Sequence, residues 1–92
     1  MNIVAAQPEI HENLRVRIAE ILYCQPEEVG DDATFQDLGL DSVLGADLIE
    51  HINSVYGLQE EVEAVYQKST LAQLSTYVAE QVSAKAGHGS PG

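Results

Sequence analysis

Ser42 stands between Asp41 and Val43, after the stretch Phe35-Gln36-Asp37-Leu38-Gly39-Leu40 and before the amphipathic run Leu44 to Tyr56. This spacing predicts a hydroxyl at the tip of a loop and in the first turn of a helix. A helix N-terminus offers unpaired N–H groups and a partial positive charge, so a phosphodiester on that hydroxyl is electrostatically welcome. Serine is also a favoured N-cap, which gives Ser42 a purely structural alternative. Other reactive residue types do not combine. His11, His51 and His88 fall on separate segments, and neither a Cys–His pair nor metal-ligand spacing occurs. There is no glycine-rich phosphate loop. An EF-hand register from Asp31 would put Ala33 and Phe35 where a hard cation needs oxygen ligands, so no metal site is expected. Glu50 beside His51 reads as helix surface, and no catalytic residue is expected.

The charge pattern narrows the partners. The chain of 92 residues carries a net charge of −11, and no Lys or Arg lies between Arg17 and Lys68. Twelve Asp and Glu residues fill that interval, around Ser42. Such a surface repels nucleic acid and anionic membranes, and it steers basic protein partners towards itself. A solvated face that only confers solubility is the plainer alternative. No stretch approaches the roughly 18 apolar residues of a membrane span, and the N-terminus lacks the order of a signal peptide. Cys24 is the sole cysteine, so no internal disulfide can form. A cytoplasmic, monomeric protein is expected.

The elements that must position Ser42 are helical. Residues 1–7 read as a flexible leader. From Pro8, apolar residues at Ile10, Leu14, Ile18, Ile21 and Leu22 share one helical face, and the helix should end near Tyr23 or Cys24, before Pro26. Gln25 to Asp41 reads as a long irregular connection whose Val29, Phe35, Leu38 and Leu40 pin it to the core. A second helix is predicted over 42–56, with Leu44, Leu48, Ile52 and Val55 buried, Ile49 and Tyr56 at the margin, and Gly57 as its cap. A short third helix over 61–67 should turn Val62, Val65 and Tyr66 inward. A fourth, capped by Ser69-Thr70 and running to about Ala84, should bury Leu71, Leu74, Val78 and Val82. Residues 86–92 look like a linker, while Met1 reads as a natural start. The fold class expected is all-α: a small four-helix bundle over residues 8–85, with a long first loop and a short third helix.

The motif Asp37-Leu38-Gly39-Leu40-Asp41-Ser42-Val43 and its helical continuation resemble the acyl and peptidyl carrier protein family, over roughly residues 8 to 84. The resemblance implies a four-helix bundle of the acyl-carrier-protein type. It also implies that Ser42, with Asp41 beside it, receives a 4′-phosphopantetheine arm from coenzyme A through a phosphopantetheinyl transferase. The arm's thiol would hold an acyl group as a thioester, and tethering would raise its effective concentration at partner active sites to roughly the millimolar range. Asp41, Val43, Asp47 and Glu50 are the candidate docking residues for ketosynthase, acyltransferase and other synthase enzymes with basic surfaces. Family members can also fold the arm into the bundle, for which Leu48, Ile52, Val62 and Val65 are the candidate groove here.

Finer features separate client pathways. The segment lacks the Gly-Gly-His/Asp-Ser pattern of peptidyl carriers, and Val43-Leu44-Gly45-Ala46-Asp47 differs from housekeeping fatty acid carriers. Gly45 resembles polyketide synthase carriers, so a polyketide carrier is the reading, with fatty acid synthesis or an unmodified acidic scaffold as alternatives. Leu48 stands where some carriers serving β-branching enzymes have Trp, which argues against that role. Glu60-Glu61 and Ser69 depart from the apolar or Pro residues common at those places, so the approach to the third helix should differ.

Overall fold

A computed structural model of the protein describes residues 7–88, with side chains described for 8–85. The first helix, α1 (Gln7–Leu22), buries Ile10, Leu14, Ile18, Ala19 and Ile21 on one stripe. It closes with Tyr23 in the left-handed region at φ 59°, where the N–H groups of Tyr23 and Cys24 reach the carbonyls of Glu20 and Ala19. That closure usually employs glycine; Tyr23 adopts it with its ring 96% exposed. The expected leader lies almost wholly outside the described residues.

The connection is less irregular than its composition predicts. It contains a 3₁₀ turn at Pro26–Glu28 and a one-turn helix, α2 (Phe35–Leu38), capped by the Thr34 hydroxyl accepting from the Asp37 N–H at 3.1 Å. Val29, Phe35 and Leu40 are buried and Leu38 partly so, as their apolar character requires. Polar contacts hold the rest. The Arg15 guanidinium donates to the Val29 carbonyl at 2.5 Å and to Asp31 at 2.7 Å, while His11 reaches the same carboxylate at 3.0 Å.

Three further helices complete the chain: α3 (Ser42–Tyr56), α4 (Glu63–Gln67) and α5 (Leu71–His88). Asn13 meets His51 and Arg17 meets Asp47, so α1 and α3 run antiparallel. The Phe35 N–H donates to the Ser69 carbonyl and Lys85 to the Gly57 carbonyl, which sets α5 parallel to α3. At the start of α5 the Thr70 hydroxyl accepts from the Gln73 N–H at 3.2 Å, and the Gln73 side chain accepts from the Ser69 N–H at 3.1 Å. The bundle is all-α, with no strand among the described residues.

Local periodicity missed some details. In α3 the buried arc is Gly45, Leu48, Ile49 and Ile52, while Val55 is 50% exposed. At roughly 3.6 residues per turn the core contacted by α1, α4 and α5 centres on Gly45 and Ile52, which draws Ile49 in and leaves Val55 at the rim. In the five-residue α4, which starts two positions later than expected, Ala64 and Val65 face the core. Tyr66, one step further round, is therefore 56% exposed instead of inward. Helix α5 passes Ala84 to reach His88, taking in part of the expected linker; residues 89–92 lie outside the described residues.

The α3–α4 loop is clamped from three sides. Gly57, at φ 68°, caps α3, and the Asn53 side chain exchanges two hydrogen bonds with the Glu60 backbone. Tyr77 of α5 donates its hydroxyl to the Glu60 carboxylate at 2.7 Å. This bond, ahead of desolvation and the Glu60 charge, pushes the Tyr77 phenol up to about 12. Because the folded value lies above the unfolded one, the contribution is complete below about pH 10 and lost as pH rises through about 12. Tyr77→Phe should therefore lower stability at neutral pH, and the gap between variant and parent should close across that window; denaturant unfolding from pH 9 upwards, on a scale set by tyrosine's ordinary pKa of about 10, measures it.

Candidate functional site

Gly39, at φ 92°, reverses the chain after α2 and delivers Leu40 to the core, Asp41 to the surface and Ser42 to the first position of α3. The cap of α3 is Asp41, whose Oδ1 accepts from the Leu44 N–H at 2.9 Å, while its carbonyl accepts from Gly45 at 2.7 Å. This corrects the capping alternative for Ser42. Aspartate caps at least as well as serine and adds favourable charge at a helix start, so the position before Ser42 takes the role. The Ser42 side chain is left exposed, with no hydrogen-bond partner among the described residues. Its own N–H and that of Val43 remain directed out of the helix start.

The sequence-predicted docking residues divide between two sides of this helix start. Val43 (74% exposed), Asp47 and Glu50 share the outer face of α3, along a shallow depression of about 600 Å³ bounded by that helix alone. Asp47 is partly engaged, with the Arg17 guanidinium 3.9 Å away, whereas Glu50 has no ion-pair partner among the described residues. Asp41 instead borders a cleft of about 400 Å³ on the other side.

The candidate groove is not assembled. Leu48 and Ile52 are wholly inaccessible and Val65 nearly so. Between α3 and α4, a Cβ built on Gly45 would lie 3.6 Å from Val62 and 3.7 Å from Val65, so the space left beside Gly45 is about that of one methyl group. The cleft that does exist lies between α2 and α4, and of the four groove residues only Val65 reaches it. Gln36, Tyr66 and Ser69, which line it, were missed by sequence reasoning. They come from three separate segments, and no periodicity links them. Among the described residues no cluster could hold a metal ion, and no helix is long and apolar enough to cross a membrane.

A phosphopantetheine attachment site family model matches residues 12–78, which span Ser42 and both helices flanking it. The chain belongs to that family. A carrier domain of this kind takes 4′-phosphopantetheine, and an exposed, uncommitted serine at a helix N-terminus fits the group's phosphodiester. The carrier is 44% identical over 62 residues to Polyketide synthase PksL of Bacillus subtilis (strain 168), covering 67% of this chain. It is also 38% identical over 76 residues to the probable non-canonical nonribosomal peptide synthetase CymA of Salinispora arenicola (strain CNS-205), covering 83% of this chain. It spans 1% of the length of each. Among solved structures, the HMG-ACPI domain from the CurA module of Lyngbya majuscula superimposes with TM-score 0.81 at 34% identity, covering 94% of this chain and 90% of that one.

The geometry separates two neighbouring residues by their energetic roles. Asp41→Ala should cost about 1 kcal/mol of stability through loss of the cap, while Ser42→Ala should stay within roughly 0.5 kcal/mol of the parent. Urea unfolding of the two variants makes the comparison, and equal losses would return the cap to Ser42.

Proposed function

We propose that Ser42 carries the phosphopantetheine arm and that the domain, spanning 8–85, presents acyl intermediates to the enzymes of a polyketide synthase. The observation that carries this reading is the Ser42 hydroxyl: exposed, bonded to nothing within the domain, and relieved of capping by Asp41. Bound there, the arm supplies a thiol that holds the acyl group as a thioester. The protein's residues do the rest. The outward N–H groups of Ser42 and Val43 favour the phosphate's charge. The Val43, Asp47 and Glu50 face offers an apolar contact ringed by carboxylates, suited to brief docking on basic enzyme surfaces.

The partners on this reading are a phosphopantetheinyl transferase and the condensing and acyl-transferring enzymes of the synthase, met by a monomeric carrier in the cytoplasm. The domain acts as a tethered substrate and not as a catalyst. The likeness to a polyketide synthase at 44% identity supports the pathway, together with Gly45 in its place after Ser42. A carrier within a peptide synthetase is the second reading, favoured by the 38% identity to one such protein.

Incubation with coenzyme A and a promiscuous phosphopantetheinyl transferase should add one phosphopantetheine by intact mass, and none to Ser42→Ala. Addition to the Ala variant would move the site elsewhere. Glu50→Lys, at a carboxylate with no ion-pair partner among the described residues, should slow association with the transferase several-fold at low salt and little at high salt. Stopped-flow measurement at two ionic strengths reads the effect, and unchanged rates at low salt would remove this face from docking.

A further inference from the structure

Packing within the domain does not account for Tyr23. The residue ends α1 in the left-handed region at φ 59°, a conformation that costs a side chain with a Cβ free energy and that glycine or asparagine adopts readily. The bonds closing the helix there are made by backbone alone. The N–H groups of Tyr23 and Cys24 donate to the carbonyls of Glu20 and Ala19, and glycine at this position would donate equally well. The ring offsets none of the cost: it is 96% exposed, and its hydroxyl has no hydrogen-bond partner among the described residues. Its place in the bundle gives it a use outside the domain. The pairs Asn13–His51 and Arg17–Asp47 advance by four residues along α1 and retreat by four along α3. Continuing that antiparallel register brings Tyr23 level with Asp41 and Ser42, one interhelical spacing of about 8–10 Å away. Tyr23 and Val43, the two most exposed large apolar side chains among the described residues, thus share Ser42's end of the α1–α3 pair. Exposed carboxylates accompany both, with Glu20 and Glu27 near Tyr23 in the chain and Asp47 and Glu50 following Val43.

We propose that Tyr23 is a contact residue for the phosphopantetheinyl transferase that loads Ser42, seated in an apolar recess of that enzyme's basic surface. The inference rests on Ser42 being the attachment point. Reach selects this partner. In loading, the Ser42 Oγ bonds to the phosphorus that carries the pantetheine of coenzyme A, and the pyrophosphate P–O bond breaks. Adenosine 3′,5′-bisphosphate leaves, and the hydroxyl proton passes to the enzyme. The transferase must therefore close on the serine oxygen itself, and its body must cover the surface within about one interhelical spacing of it. Enzymes that act on the thioester meet it at the far end of the arm and face no such demand. Tyrosine suits the contact, because it offers a large rigid area with few rotamers to freeze. Together with Val43 it makes two apolar contacts set among carboxylates. Charge brings the basic enzyme to this end of the domain, and the two apolar side chains fix its register over Ser42.

Steady-state loading by a promiscuous phosphopantetheinyl transferase with coenzyme A, read by intact mass, tests the contact. Tyr23→Gly should lower kcat/KM several-fold, mainly through KM. Its melting temperature should equal or exceed the parent's, because glycine adopts the left-handed turn with no side chain to strain. Tyr23→Phe should load at the parental rate. The glycine defect should persist at high salt, where that of Glu50→Lys fades, since an apolar contact is not screened. Val55→Ala, exposed at the far end of α3, should load normally. Parental loading of Tyr23→Gly at subsaturating carrier overturns the contact, as does an equal loss in Val55→Ala, and either result leaves Ser42 as the attachment point. A folded parent that accepts no arm overturns the contact and the attachment site together.

Discussion

Everything around Ser42 depends on fastening the connection between α1 and α3 to the rest of the bundle. Nineteen residues separate Leu22 from Ser42, and an unattached chain of that length would leave the start of α3 undefined. Hydrophobic burial of Val29, Phe35 and Leu40 supplies the free energy, at about 1.5–3 kcal/mol for each large side chain. Directional bonds supply the register. Arg15 holds Val29 and Asp31 against α1, and the backbone of Phe35 and Asp31 pairs with Ser69 and Ala72 at the start of α5. Gly39 then turns the chain so that Leu40 goes inward and Asp41 is free to cap. Ser42 inherits its exposure from that sequence of constraints.

The acidity of the domain is sharpened by the way its few cations are used. Arg15 is bound to Asp31 and close to Glu12; Arg17 lies near Glu20 and Asp47. Lys68 sits 5.6 Å over the Tyr77 ring, and Lys85 donates to the Gly57 carbonyl. All four basic side chains thus fasten one segment to another, and the α3 face presents its carboxylates with only Asp47 partly offset. On the proposed function, contacts with successive enzymes form quickly and release, which suits exposed charge near an apolar residue such as Val43 more than a large buried interface.

Two kinds of order meet at α4. The α3–α4 loop is held firmly by Asn53, Glu60, Tyr77 and Lys85. The helix itself has five residues and no side-chain cap. Its placement closes the space against α3 and opens the cleft against α2.

The sequence by itself determined the helical class, the stripes of α1 and α5, the end of α1 before Pro26, the glycine cap of α3 and the family motif around Ser42. Each of these is written in residues close together in the chain, through period, turn chemistry or spacing. Only the tertiary structure decided that Asp41 and not Ser42 caps α3, that Ile49 displaces Val55 from the core, and that Tyr66 faces a cleft. It also decided that Leu48 and Ile52 are wholly buried and that Val62 and Val65 lie close to Gly45, which leaves no open groove there. Those outcomes depend on where α1, α2, α4 and α5 meet α3. A local pattern fixes which face of a helix is apolar, but the partners that cover that face, and the gaps they leave, come from segments far away along the chain.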